Sequence, residues 1–200
     1  MISGLCKGLI ALLAAIWLPL AVSAQSPSPN ARITKFFVDH AEPDSGYETG
    51  PLHVIYSDGT EVVQKLPPLK KSTDKETAFN EVGFSEVQLA DDKKTLGWAV
   101  QVENCCTSYS IPLTVVVFRS GKILHSFNQQ MVWKWMFLPG SIQLAIVWGP
   151  THGPEVGDYR LYNIASGSLV SEVWGDEDTQ SLKNDAPNWA RELEERLHRP

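Results

Sequence analysis

The sequence predicts an all-β protein built of antiparallel, blade-like meanders, either as packed sheets or as a partial propeller, with one short C-terminal helix. Three observations predict it. Short apolar runs alternate with turn signals along most of the chain. Three hairpins read alike: HVIYSDGTEVV at 53–63, VVVFRSGKILH at 115–125 and LYNIASGSLVS at 161–171. Helical spacing shows near the C-terminus, where Trp189, Leu193 and Leu197 fall at i, i+4 and i+8.

The 200-residue chain opens on a segment that does not belong to the fold. Lys7 gives a positive start, Gly8 to Leu20 is apolar, and Val22-Ser23-Ala24 supplies compact residues at a cleavage position, so residues 1–24 read as a signal peptide. The apolar run is slightly short for a spanning helix, which favours cleavage over retention as an anchor. Residues 25–31 form a polar tether rich in Pro and Ser, and 32–200 a single β domain. Losing Lys7 takes the formal charge from −6 to −7. An acidic chain with no basic run excludes nucleic-acid backbones and anionic membrane surfaces as partners. The expected location is secreted or periplasmic.

Within the domain, Ile33–Val38 is a first strand and Leu52–Tyr56 a second. Asp58-Gly59 turns the chain into Val62-Val63, and Pro67-Pro68 ends that strand. Lys70–Gly83 lacks β-branched alternation and reads as a loop with at most one helical turn around 75–80. Phe84–Phe127 is a meander with a turn at 90–94, an apolar run Leu96–Val100, adjacent cysteines, a run Leu113–Phe118 and a turn at Ser120-Gly121. Val132–Phe137 alternates around Trp133 and Trp135, placing both on one strand face. Ile142–Trp148 reads as buried, Gly149–Gly157 as a loop, and Tyr159–Ile164 with Leu169–Trp174 as a hairpin. A polar linker then leads to Pro187, which opens a helix over 187–197 that docks by its tryptophan.

Gly121 and Gly167 recur at 46 residues, and the turn-then-strand signals at Leu96 and Leu144 recur at 48. Such a period suits propeller blades. The run Ala90-Asp91-Asp92-Lys93-Lys94-Thr95-Leu96-Gly97-Trp98 resembles the "SPDGK-T-L-W/F" blade opening of secreted TolB-like and WD40-like β-propellers, with Lys93 where glycine is usual. Residues 137–141 match more loosely. The resemblance covers about residues 84–174 and extends to uncharacterised secreted bacterial proteins, for which no activity is implied.

Candidate ligand-binding residues lie in two loops, each following the apolar strand that opens a repeat: Cys105, Cys106 and Tyr109 in one, His152 and Asp158 in the other. These loops are expected to emerge at one edge and form a common surface. Neighbouring cysteines can bond only through a strained turn, which Asn104 and Thr107-Ser108 would accommodate. The alternative is one buried and one exposed thiol. The C-x-x-C spacing of redox pairs is missing. His152, Glu155 and Asp158 are metal-ligand types, yet their spacing matches no metal motif, and neither metal nor cofactor is expected. The acidic run Asp39–Gly50 lacks the EF-hand pattern, and no serine stands in a Gly-x-Ser-x-Gly context. Tryptophans 98, 133, 135 and 148 suit a core better than a stacking platform. These readings favour a non-catalytic binding or interaction domain whose partner is a protein, peptide or carbohydrate. The competing reading is an extracytoplasmic hydrolase or metal-dependent enzyme using His152 with Asp158 or Glu155.

Overall fold

A computed structural model describes residues 26–41, 47–66, 79–104, 109–151, 157–176 and 181–199. The expected class holds. Among the described residues, eleven strands form two antiparallel sheets, and one helix follows them. The strands are β1 (Ile33–Ala41), β2 (Glu48–Tyr56), β3 (Glu61–Gln64), β4 (Phe79–Leu89), β5 (Thr95–Asn104), β6 (Ile111–Arg119), β7 (Lys122–Asn128), β8 (Met131–Phe137), β9 (Gln143–Gly149), β10 (Asp158–Asn163) and β11 (Leu169–Trp174). Helix α1 spans Asn188–Leu197.

The first sheet runs β1-β2-β4-β5-β6-β7, with β3 paired to the far half of β2. Only the bridge Glu48↔Phe84 joins β2 to β4, so the β1–β3 unit can fold back over the β4–β7 meander. The second sheet is the plain meander β8–β11.

Three apolar layers hold the stack together. Leu52, Val54 and Tyr56 from β2 meet Trp98, Val100, Val116 and Phe118 in the first. The opposite faces of β5 and β6, through Ala99, Val115 and Val117, meet Trp135, Ile146 and Trp148 in the second. Ala145, Val147 and Leu161 then meet Ala190 and Leu193 of the helix in the third. Strands β5 and β9 are therefore covered on both faces. Their unbroken apolar runs, rather than alternating ones, follow from that. The helix covers the outer face of the second sheet. It docks by Ala190 and Leu193, with Trp189 only flanking the contact.

The three look-alike hairpins are β2–β3, β6–β7 and β10–β11, and their glycines 59, 121 and 167 all take positive φ. In the turn at 90–94, Lys93 adopts φ 56°, a left-handed conformation taken despite its side chain. Asp92 fixes that turn. Its carboxylate accepts from the backbone N–H groups of Lys94 and Thr95 and from the Thr95 hydroxyl, at 2.8–2.9 Å.

Two expectations change. Residues 79–83 are strand rather than loop, because they pair with Gln101–Asn104 of β5, a long-range partner that local alternation does not reveal. Trp133 and Trp135 do not share a face. A bulge between Val132 and Lys134 breaks the alternation, sending Trp135 into the second layer and Trp133 against the third.

Candidate functional site

The two ends of the stack differ in kind. At one end sit the tight turns 57–60, 90–94, 120–121, 138–142 and 164–168, bound to each other. Ile33 N–H donates to the Lys93 carbonyl at 2.6 Å, Asp92 N–H to Ser141 Oγ at 2.9 Å, Gly121 N–H to Tyr56 Oη at 3.1 Å, and Ile164 N–H to the Ile142 carbonyl at 2.9 Å. Ser28 and Thr60 N–H groups on the Asp58 carboxylate hold its pKa at about 2. The long connections 42–46, 67–78, 105–108, 152–156 and 177–180 lie outside the described residues. The strand ends that flank them all sit towards the other end, as the registers Ala41↔Glu48, Phe79↔Asn104, Val102↔Ile111, Trp148↔Asp158 and Asp158↔Trp174 require.

From mid-strand towards this loop end the two sheets part around a cleft of about 130 Å³. Ser85, Glu86 and Gln101 supply its polar side, and Ala99, Pro112, Val132 and Trp133 the apolar side. The polar side depends on a bulge in β4 between Ser85 and Gln88. There Glu86 takes φ 49°, a left-handed conformation that costs a non-glycine residue about 1 kcal/mol or more. Lys134 Nζ meets Glu86 Oε1 at 2.9 Å, and Gln88 Nε2 donates to the Trp135 carbonyl at 3.3 Å, so the bulged strand is tied to the edge of β8. Below it, buried Gln101 donates through Nε2 to Ser85 Oγ at 2.8 Å. The sequence carried one signal for this site: a polar Gln101 between Val100 and Val102, in a strand covered on both faces. The bulge that presents Glu86 left no mark.

Of the residues singled out from the sequence, Cys105, Cys106 and His152 lie outside the described residues, as does Glu155. Their loops belong to different sheets but leave from the same end of the stack. Tyr109 is 48 % exposed there. Asp158 is 4 % exposed and engaged: its Oδ2 lies 2.8 Å from Arg160 Nε, while Arg160 NH2 meets Glu172 Oε1 at 2.7 Å. Its Oδ1 is sealed from solvent with no hydrogen-bond partner. Burial pushes its pKa up, against the pull of Arg160. This is the setting of a structural ion pair rather than of an accessible ligand. Trp98, Trp135 and Trp148 are core residues in two different layers, as expected of them. Among the described residues no group of three or more His, Cys, Asp or Glu could hold a metal, and no helix is long and apolar enough to cross a membrane.

A second polar cluster crosses the outer face of the β1–β3 unit. His53 stacks on Phe37 at 4.8 Å, with Lys35 over the other ring. Its Nδ1 lies 2.5 Å from Glu61 Oε1 and its Nε2 3.1 Å from Asp39 Oδ2. The hydrogen bond to Glu61, against a smaller cost of burial, raises the His53 pKa above 6.5, with Asp39 adding to the rise. A raised folded-state pKa means the folded chain holds the proton more tightly than the unfolded one. The stabilisation is therefore complete below pH 6.5 and is lost as pH rises through the folded value. The imidazole C–H resonance of His53 should titrate above pH 6.5. Thermal stability should fall between pH 6 and pH 9 by less in His53→Gln than in the parent. An unaltered pH profile in the variant would remove the cluster from consideration.

No family model matches the chain, and no curated protein matches it.

Proposed function

We propose that the chain is an exported, non-catalytic β domain that binds its partner through the loop end of the stack. The signal-peptide pattern of residues 1–24 supports export to the periplasm or beyond. One observation carries the binding reading, namely the asymmetry of the two ends. The tight-turn end is tied together by backbone hydrogen bonds. The other end carries the strand ends that flank the long connections, beside a cleft, and connections held on a rigid scaffold are where recognition concentrates. The strained backbone at Glu86 borders that cleft from the middle of β4, and such strain clusters at ligand sites. The sealed Asp158 carboxylate, already committed to Arg160, weighs against a hydrolase built on the His152 loop.

Glycan and peptide arrays test the reading. The expected ligand loses binding when Glu86→Lys alters the cleft and keeps it when Lys122→Ala alters the tight-turn end. Binding lost only through changes at the tight-turn end would overturn the assignment.

A further inference from the structure

The cleft between β4, β5, β6 and β8 has a composition that narrows its ligand, provided that the binding reading above is right. Its volume of about 130 Å³ compares with about 30 Å³ per water in the liquid, so it has room for a few waters or one small ring, and not for an extended peptide. Its polar groups sit on strands, where they are held rigidly, rather than on the long connections. Gln101 uses one amide N–H on Ser85, and its oxygen and second N–H have no side-chain partner among the described residues. Ser85 and Glu86 lie on either side of the point where the bulge begins. Donors and acceptors are thus closely mixed.

Charge is the second discriminator. The Glu86 carboxylate is already paired with Lys134, so the site as a whole offers no uncompensated charge to an ion. An apolar ligand is disfavoured too, since it would strand the buried amide and hydroxyl without partners. A neutral ring with hydroxyls around its rim and C–H groups on its face meets both sides of the cleft at once. From this geometry we infer that the cleft binds a single neutral sugar ring, with Gln101 and Ser85 hydrogen-bonding adjacent hydroxyls, Glu86 accepting from a third, and Ala99, Pro112 and Val132 against the C–H face.

Nuclear magnetic resonance on the full chain tests this with named probes: the methyl glycosides of glucose, galactose, mannose and N-acetylglucosamine, then glucuronate, then an alanine tripeptide. At least one neutral glycoside should shift the Gln101 side-chain NH2 resonances, and Gln101→Leu should weaken its binding at least tenfold. Glu86→Gln, at a more exposed position that the fold tolerates more readily, should weaken it several-fold. Shifts with glucuronate or the tripeptide alone would overturn the ligand class and leave the binding role standing. A glycoside that binds without moving the Gln101 resonances would overturn the cleft as its site. Silence from every probe together with silent glycan and peptide arrays would overturn both readings.

Discussion

Replacing Trp148 with alanine is expected to cost about 4 kcal/mol of folding stability. The indole is completely buried in the second layer, among Val132, Ile146 and Tyr162, where β9 is covered on both faces. A paired strand on either side holds the β9 backbone, which limits how far it can relax into the space left. Among the described residues the Trp148 indole N–H approaches the Tyr162 hydroxyl without a well-formed hydrogen bond, so most of the loss comes from packing and from the cavity left behind. A domain of this size has about 5–15 kcal/mol in total, and its melting temperature moves about 2–4 °C per kcal/mol. The variant should therefore melt some 8–16 °C lower by differential scanning calorimetry. Trp174→Ala is the matched control. That indole is 56 % exposed at the end of β11, and its loss should stay near 0.5 kcal/mol. Similar shifts in the two variants would show that the sheets are not packed through the second layer as described.

Much of this architecture could be read before any coordinates were seen, for physical reasons that also mark the limits. The three hairpins announced themselves because a two-strand turn demands particular residues locally, as at Asp58-Gly59, Ser120-Gly121 and Ser166-Gly167. The helix was equally plain from Trp189, Leu193 and Leu197, although its fully buried residues are Ala190 and Leu193. Burial of β9 on both faces was visible in the unbroken run from Leu144 to Trp148. What stayed hidden was every feature decided by a distant partner. Residues 79–83 become a strand only because β5 offers a ladder. The bulges that separate Trp133 from Trp135 and lift Glu86 into the cleft are matters of register, and register is set by pairing rather than by composition. Asp158 showed the same limit. Its residue type pointed to ligand chemistry, whereas Arg160, two residues along the same strand, and Glu172, paired with Arg160 from β11, made it part of an ion-pair network.

That ion pair supports the second large effect. Arg160→Met removes a mostly buried guanidinium that lies between two carboxylates. Glu172 is partly exposed and can be hydrated instead, but Asp158 cannot. A buried carboxylate deprived of its charge partner costs about 3 kcal/mol or more, which is why breaking such a pair is worse than never having had it. The pH dependence identifies the cause. Burial already raises the Asp158 pKa in the native protein, and without Arg160 it must rise further. With the folded-state value above the unfolded one, the penalty is present above the folded pKa and is relieved below it, where the group is a neutral acid. Urea denaturation should show a deficit of about 3 kcal/mol at pH 7 that shrinks steadily as the solution is acidified. Adding Asp158→Leu to Arg160→Met should restore most of the loss at pH 7, since a pair replaced by apolar groups leaves no charge stranded. Glu172→Gln alone should cost less than about 1 kcal/mol, as expected for a rim contact. A deficit in Arg160→Met that is the same at every pH would mean that the side chain matters for its packing and not for the charge it covers. Rescue by the second substitution would then not occur.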